Sequence, residues 1–426
     1  MFRDLIKIST NTLSQLVAKS VTTTSTLAIT LLVTHNLSKS DWGVFVTITS
    51  YVALFYLISD FGLNGIVTRE LVKNEEKISE YFNRLFSLRI VLSVITIFVA
   101  LAVLSFTNHS NFIKLGIIIS LTTVFTLAVF NSAVAIFQAN LRYDQAALAD
   151  VSGAIITLVL AYLFIISQLS IIFVVVAYVV GGVVRACLSL ILVRSQTKQV
   201  RLDFDLPSWR QMILASLPIG VTLIFSQVAA NIDKQVVYLA NYDSSLSLNN
   251  ELAAGYYGLA YRVFEFGIIL PAFFVNSIYP FLIRDQVKDL RLLRENFFKY
   301  GKLLVVASFL VTLAVFFLGS KIVLIFGDFA PAAEALKILS LSYPFFYLTP
   351  LLMWTIITLG REKLLPFVYG FAALVNLAAN IYFVPKFGFV AASLITVFTE
   401  ILILLWLFAL LKPLFAQISQ EENEDN

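Results

Sequence analysis

The chain predicts an all-α membrane protein of about twelve transmembrane helices in two six-helix lobes, and three observations point there. Apolar residues make up 59% of its 426 positions and charged residues 13%, with a mean hydropathy of +0.89. A soluble globular chain holds about half apolar and about a quarter charged residues. Apolar stretches near the roughly 20 residues that one span needs recur along the whole length. Landmarks of the first half return in the second at a nearly constant offset.

The spans fall near 12–34, 42–66, 85–106, 113–138, 147–167, 170–193, 212–240, 252–280, 300–319, 334–358, 365–384 and 389–411. The first is long, rich in Ser and Thr, and lacks a small-residue cleavage site, so it reads as an uncleaved span. The connections alternate in charge. One set holds twenty Lys and Arg residues, among them Arg3, Lys7, Arg69, Lys73, Arg84, Arg142, Arg194, Arg284, Arg291, Arg361 and Lys412; the other holds only Lys39, Lys114, Lys321 and Lys386. Lys and Arg accumulate on the cytoplasmic side, so both termini are expected in the cytoplasm.

Arg69 after span two and Arg284 after span eight are 215 residues apart. Arg142 after span four and Arg361 after span ten are 219 apart, and Ser14-Gln15 recurs as Ser226-Gln227. Each copy has an even number of spans and hence the same orientation, which predicts a pseudo-twofold along the membrane normal with a solute site between the copies. Residues 1–200 are read as the N-terminal lobe and 201–412 as the C-terminal lobe. The charged stretch 194–211 is the linker, and 413–426 is an acidic cytoplasmic tail.

Eleven charged residues fall inside these spans: Lys19, Arg89, Arg185, Lys234, Arg262, Lys337, Asp60, Asp150, Asp233, Glu265 and Glu400. Facing lipid, each would cost about 2.5–3.5 kcal/mol, so most must face protein or a wet cavity. Asp150, Arg185 and Lys337 are candidates for snorkelling toward an interface instead. Asn11, Gln15, Lys19, Thr22, Thr26 and Thr30 share one face of span one. Gln227, Asn231, Lys234 and Tyr238 repeat the stripe on span seven. Two readings stand: a central cavity lined by both stripes, or hydrogen bonding between helices, for which Ser and Thr are common. Asp60 shares a face of span two with Tyr56 and Asn64, and Arg89 one of span three with Ser93 and Thr96. Thr396 and Glu400 share a face of span twelve, and Asn376 and Asn380 of span eleven. Arg262 and Glu265 are spaced either for that cavity or for an internal ion pair. Pro271 and Pro280 are expected to kink or end span eight.

Enzymatic readings find no support. His35 and His109 lack metal-ligand spacing. No P-loop, dinucleotide fingerprint or Gly-x-Ser-x-Gly elbow is present. The longest outside connection, about 241–251, is too short for a catalytic ectodomain. The positive-inside rule explains the basic loops without nucleic acid.

Several motifs carry a resemblance. VPKFGFVAAS at 384–393 is similar to a Pro-x-x-Gly-x-x-Gly/Ala-Ala entry into a last helix, with Val390 where Gly is often seen. TLGREK at 358–363 followed by Asn376 and Asn380, GYYGLAYR at 255–262 and DFGL at 60–63 add to it. Together they resemble the Wzx-type flippases, in the polysaccharide-exporter branch of the multidrug/oligosaccharidyl-lipid/polysaccharide superfamily. The resemblance implies a MATE-like fold in a bacterial cytoplasmic membrane. It implies a non-enzymatic flippase that moves undecaprenyl-pyrophosphate-linked oligosaccharide units by alternating access, for O-antigen, lipopolysaccharide, capsule or exopolysaccharide. Its partners would be that lipid-linked sugar, membrane lipid and a repeat-unit polymerase.

On this reading Lys19, Arg89, Lys234 and Arg262 attract the pyrophosphate. Gln15, Asn11, Gln227, Asn231, Asn376 and Asn380 contact sugar hydroxyls. No cofactor is expected; a proton or sodium gradient is a candidate energy source, with Asp60, Asp233, Glu265 and Glu400 as candidate ion-coupling groups. The rival on the same fold is an ion-coupled multidrug antiporter, which would favour acidic and aromatic cavity residues. A lipid II flippase would typically show fourteen spans.

Overall fold

The computed structural model describes residues 2–63, 78–140, 142–197, 199–246 and 248–424. Within them lie thirteen α-helices. In the first half these are α1 (Phe2–Asn36), α2 (Lys39–Asp60), α3 (Ile78–Ser105), α4 (Asn111–Ala139), α5 (Tyr143–Ile166) and α6 (Ile171–Val193). Then follow α7 (Leu206–Leu239), α8 (Asn250–Lys288), α9 (Leu290–Leu324), α10 (Ala332–Ser340), α11 (Tyr343–Thr358), α12 (Leu365–Phe387) and α13 (Phe389–Glu424). Among the described residues, ten helices are long and apolar enough to cross a membrane, and eleven spans result if α10 and α11, bent by 46°, form one broken span. The remaining expected span, 252–280, is the helical α8, which carries Arg262 and Glu265 and is not among those ten.

Side-chain caps start the helices where the sequence offers them. Ser38 opens α2 in a capping box with Asp41, and Ser110, Ser170, Asn249 and Asp289 each accept a backbone N–H at the starts of α4, α6, α8 and α9. Such caps satisfy N–H groups that a helix start leaves orphaned. Span two stops at Asp60 instead of running to 66, because Phe61 (φ 47°) and Gly62 (φ 67°) turn into the left-handed region. Arg69, Asn64, Lys73 and Lys77 lie outside the described residues. The turn between α12 and α13 is made by Gly388 (φ 70°), the glycine of the VPKFGFVAAS motif. The repeat holds locally: the Arg142 N–H reaches the Phe137 carbonyl (2.7 Å) and the Arg361 N–H the Ile356 carbonyl (3.0 Å), so both connections turn over five residues in the same way.

The chain divides into two compact units, residues Met1–Gln227 and Val228–Asn426, with the division inside α7. In the first, α5 packs on α6, α1 on α5, and α4 on α6. Glycine permits the closest of these approaches. A Cβ at Gly153 would lie 2.8 Å from both the Gly181 carbonyl and the Arg185 Cβ, and one at Gly182 would lie 2.8 Å from the Thr126 hydroxyl. The linker is part of this unit. Arg84 on α3 pairs with Glu80 (2.7 Å) and Asp205 (2.8 Å), and Asn83 and Ser87 accept the N–H groups of Arg201 and Asp203. Trp209 donates to the Arg84 carbonyl and packs with Phe82, Leu85 and Phe137.

In the second unit α12 packs on α13, and α9 on α10 and α11. Helix α8 continues through Pro271 and Pro280, so of the two expected outcomes, a kink or an end, the prolines do not end it; a neighbour compensates. Pro271 cannot donate to the carbonyl four residues earlier, that of Gly267, and Tyr347 on α11 donates to that carbonyl instead (2.9 Å). Tyr343 donates to the Phe264 carbonyl (3.1 Å), whose helical partner at 268 is intact. Tyr347→Phe should therefore destabilise the protein by about 1–3 kcal/mol, the cost of a buried unsatisfied carbonyl, and Tyr343→Phe by under about 1 kcal/mol. Thermal melting of both variants in one detergent checks the order.

Candidate functional site

Within the first unit, α1, α5 and α6 enclose a cavity of about 330 Å³. That is the lower end of small-molecule pockets, which run from about 300 to 1,000 Å³. Charge and hydroxyls line it, although the helices that form it are apolar enough to span a membrane. Lys19 enters from α1, Asp150 from α5 and Arg185 from α6. Among the described residues Lys19 has no acidic partner. Arg185 Nη1 donates to Asp150 Oδ1 at 3.1 Å, and its guanidinium lies 4.9 Å from the Phe130 ring centre. Both members of this pair are part-exposed, 25% for Arg185 and 29% for Asp150. Arg185 Nε is buried and has no hydrogen-bond partner among the described residues.

Three of the lining hydroxyls are committed in one direction. Thr22, Thr26 and Thr157 donate to the carbonyls of Lys19, Thr22 and Gly153 at 2.8–3.0 Å. Their protons are spent on their own helices, so their oxygens retain only acceptor capacity. The Lys19–Arg185 end supplies the cationic donors for anionic oxygens, while the faces of Thr22, Thr26 and Thr157 suit a ligand's O–H donors.

The remaining expected site residues fall elsewhere. Gln15 is exposed on α1; the side chain of Asn11 lies outside the described residues. Arg89 is fully buried and donates to Asp60 (2.8 Å), which also accepts from Asn131 (3.2 Å). In the second unit the groups close on each other. Lys234 is 8% exposed and donates to Asn231 Oδ1 and the Ala230 carbonyl (both 3.1 Å). It also stands 3.7 Å over the Tyr261 ring and 3.5 Å from Glu265. Arg262 pairs with Glu265 at 3.4 Å, the internal ion pair their spacing allowed. Asp233 is fully buried and accepts from Tyr257 (2.5 Å) and Thr396 (3.4 Å). Glu400 accepts from Thr349 (2.5 Å). Asn380 donates to Asn376 (3.1 Å), and Asn376 to Thr399 (3.2 Å). Gln227 is half-buried on α7.

Among the described residues expected to bind the solute, only Lys19 lines the cavity. Asp150 and Arg185, candidates for snorkelling on sequence grounds, face one another there. A signal for them was present: Tyr178, Gly181, Gly182 and Arg185 form one helical face of α6, and Asp150, Gly153 and Thr157 one of α5. Small residues at that spacing let backbones approach closely, and each stripe carries one charge.

Residues 8–286 match the family described as Polysaccharide biosynthesis protein. The chain belongs to that family. No curated protein matches it in sequence. Among solved structures, this polysaccharide biosynthesis protein is similar to an inward-facing multidrug resistance MATE family transporter of the MOP superfamily. The identity is 13% over 94% of this chain and 96% of that one, with a TM-score of 0.76. The lipid II flippase MurJ in an inward closed conformation is similar at 16% identity, over 94% of this chain and 87% of that one, TM-score 0.73. A MOP superfamily transporter from Pyrococcus furiosus gives 15% identity, 97% and 95% coverage, and a TM-score of 0.64. The polysaccharide biosynthesis protein is thus an all-α, multi-pass membrane protein of MATE-like fold, as its sequence predicts.

Proposed function

We propose that this polysaccharide biosynthesis protein is a Wzx-type flippase that carries polyprenyl-pyrophosphate-linked oligosaccharide units from the cytoplasmic to the outer leaflet by alternating access. The observation that carries the reading is the cavity with cations at one end and hydrogen-bond acceptors along its walls, which matches a pyrophosphate joined to a sugar. Positive-inside counting supports a cytoplasmic location for both termini, and the family resemblance supports a bacterial cytoplasmic membrane. The same counting also supports placing Asp150 and Arg185 toward the cytoplasmic ends of α5 and α6, and Lys19 near the cytoplasmic start of the apolar span Val17–Asn36, where a lipid-linked sugar made inside would load. The prenyl tail stays in lipid, so the protein has only to shelter the polar head. An inside-negative potential assists outward movement of an anion by about 2.3 kcal/mol per charge per 100 mV. Proton or sodium coupling through the carboxylates Asp233, Glu265, Glu400 or Asp60 belongs to the same proposal, as does passage of the product to a polymerase.

The rival multidrug antiporter is favoured by no comparable cavity chemistry, since two of the three charged residues lining the cavity are basic. Vesicles reconstituted with the purified chain decide between them. A fluorescent polyprenyl-pyrophosphate oligosaccharide should cross leaflets faster than in protein-free vesicles, and an ethidium-type cation should not be accumulated. The reverse outcome would remove the flippase reading. Equal flipping rates after both gradients are collapsed would remove the coupling.

A further inference from the structure

We infer that Asp150 is a built-in counter-anion, which occupies Arg185 when the cavity is empty and is displaced from it by the pyrophosphate of the lipid-linked sugar. This deepens the proposed function and rests on it.

Three features of the site support the assignment. Arg185 is held independently of Asp150: its guanidinium lies on the Phe130 ring, and its Cβ packs where Gly153 leaves room. Losing the carboxylate therefore leaves the cation in place. The pair is neither sealed nor free, with both side chains about a quarter exposed and lining the cavity. A ligand's anionic oxygen can reach the exposed part of the same guanidinium. Lys19 completes the count. Asp150 neutralises one of two cations, so the empty cavity carries one net positive charge, and the cavity with Asp150 withdrawn presents two. A carrier must release what it binds. A carboxylate competing for the same guanidinium weakens retention of the pyrophosphate and supplies a partner for Arg185 once the ligand has left.

The test measures pyrophosphate binding to the purified full chain in nanodiscs, with two probes: inorganic pyrophosphate and farnesyl pyrophosphate. Close charge pairs couple strongly enough that Asp150→Asn should tighten binding of the pyrophosphate group by about tenfold or more. Asp150→Glu should stay near wild type. In Arg185→Gln the Asp150→Asn change should bring at most about a third of that gain, since its effect runs through the guanidinium. If both probes gain alike, the site reads the pyrophosphate alone; if only farnesyl pyrophosphate binds, it reads a lipid headgroup, and the displacement stands in either case. Weaker or unchanged binding in Asp150→Asn at an unaltered melting temperature would overturn the inference, because a carboxylate that merely braces Arg185 lowers affinity when removed. So would the same gain in the Arg185→Gln background. Flipping by the wild-type chain is measured separately, so the flippase reading can survive the loss of this inference.

Discussion

Replacing Lys19 and Arg185 together by Gln is expected to lower the flipping rate of lipid-linked oligosaccharide about 100-fold, and each single replacement about tenfold. Hydrogen bonds to charged groups contribute about 1.5–3 kcal/mol, and these two cations are the anion-binding groups of the cavity. The hydroxyls of Thr22, Thr26 and Thr157 cannot substitute, having donated their protons to carbonyls of their own helices. Lys19 is exposed and has no acidic partner among the described residues, so Lys19→Gln should leave the melting temperature unchanged and isolates the transport effect. Arg185→Gln strips Asp150 of its ion-pair partner and should lower stability modestly, because Asp150 is 29% exposed and reaches water. Arg185→Lys should recover less than half of the lost rate: a point charge on a flexible stem reproduces neither the ring stacking nor the fork of donors. Flipping in vesicles at matched protein density checks the series. Wild-type rates in the double variant would show that the cavity lies off the solute path.

Hydropathy made the spans legible because the bilayer imposes one strong rule on every helix that crosses it. It placed α4, α5, α6 and α12 within a few residues of their observed ends. Where local backbone chemistry overrides hydropathy, it did less well. Span two ends six residues early at Phe61 and Gly62, and the expected span 334–358 breaks into α10 and α11. That the prolines of α8 do not end it was hidden for a related reason: the hydroxyl that compensates Pro271 belongs to Tyr347, 76 residues away, and no local pattern announces it. The site was half legible. Periodicity put Lys19, Thr22 and Thr26 on one face, and they do share a cavity. The same argument treated Lys234 as the equivalent of Lys19, yet Asn231, Glu265 and Tyr261 enclose it. A stripe records which residues share a face. Whether that face meets space or a neighbouring side chain depends on helices distant in sequence, and for Asp150 and Arg185 on the glycines that draw α5 and α6 together.

Asp60→Asn should cost about 3–5 kcal/mol, the penalty for removing one charge of a buried ion pair. Arg89 has no exposure at all, whereas Asp60 is 16% exposed and also accepts from Asn131. The two single variants are therefore unequal: Arg89→Met leaves a carboxylate with some access to water and one remaining donor, and should cost roughly half as much as Asp60→Asn. Joining them removes both charges, and Met fills much of the volume of the guanidinium stem, so the double variant should recover most of the lost melting temperature. Such recovery is the mark of a pair whose charges serve each other. Transport by the double variant then separates two roles that share this geometry. A brace between α2 and α3 predicts that flipping returns along with stability, since neither side chain lines the cavity of α1, α5 and α6. A double variant that melts like the wild type but moves no lipid-linked sugar would instead place Asp60 and Arg89 on the solute or ion path, as their stripes on spans two and three suggested.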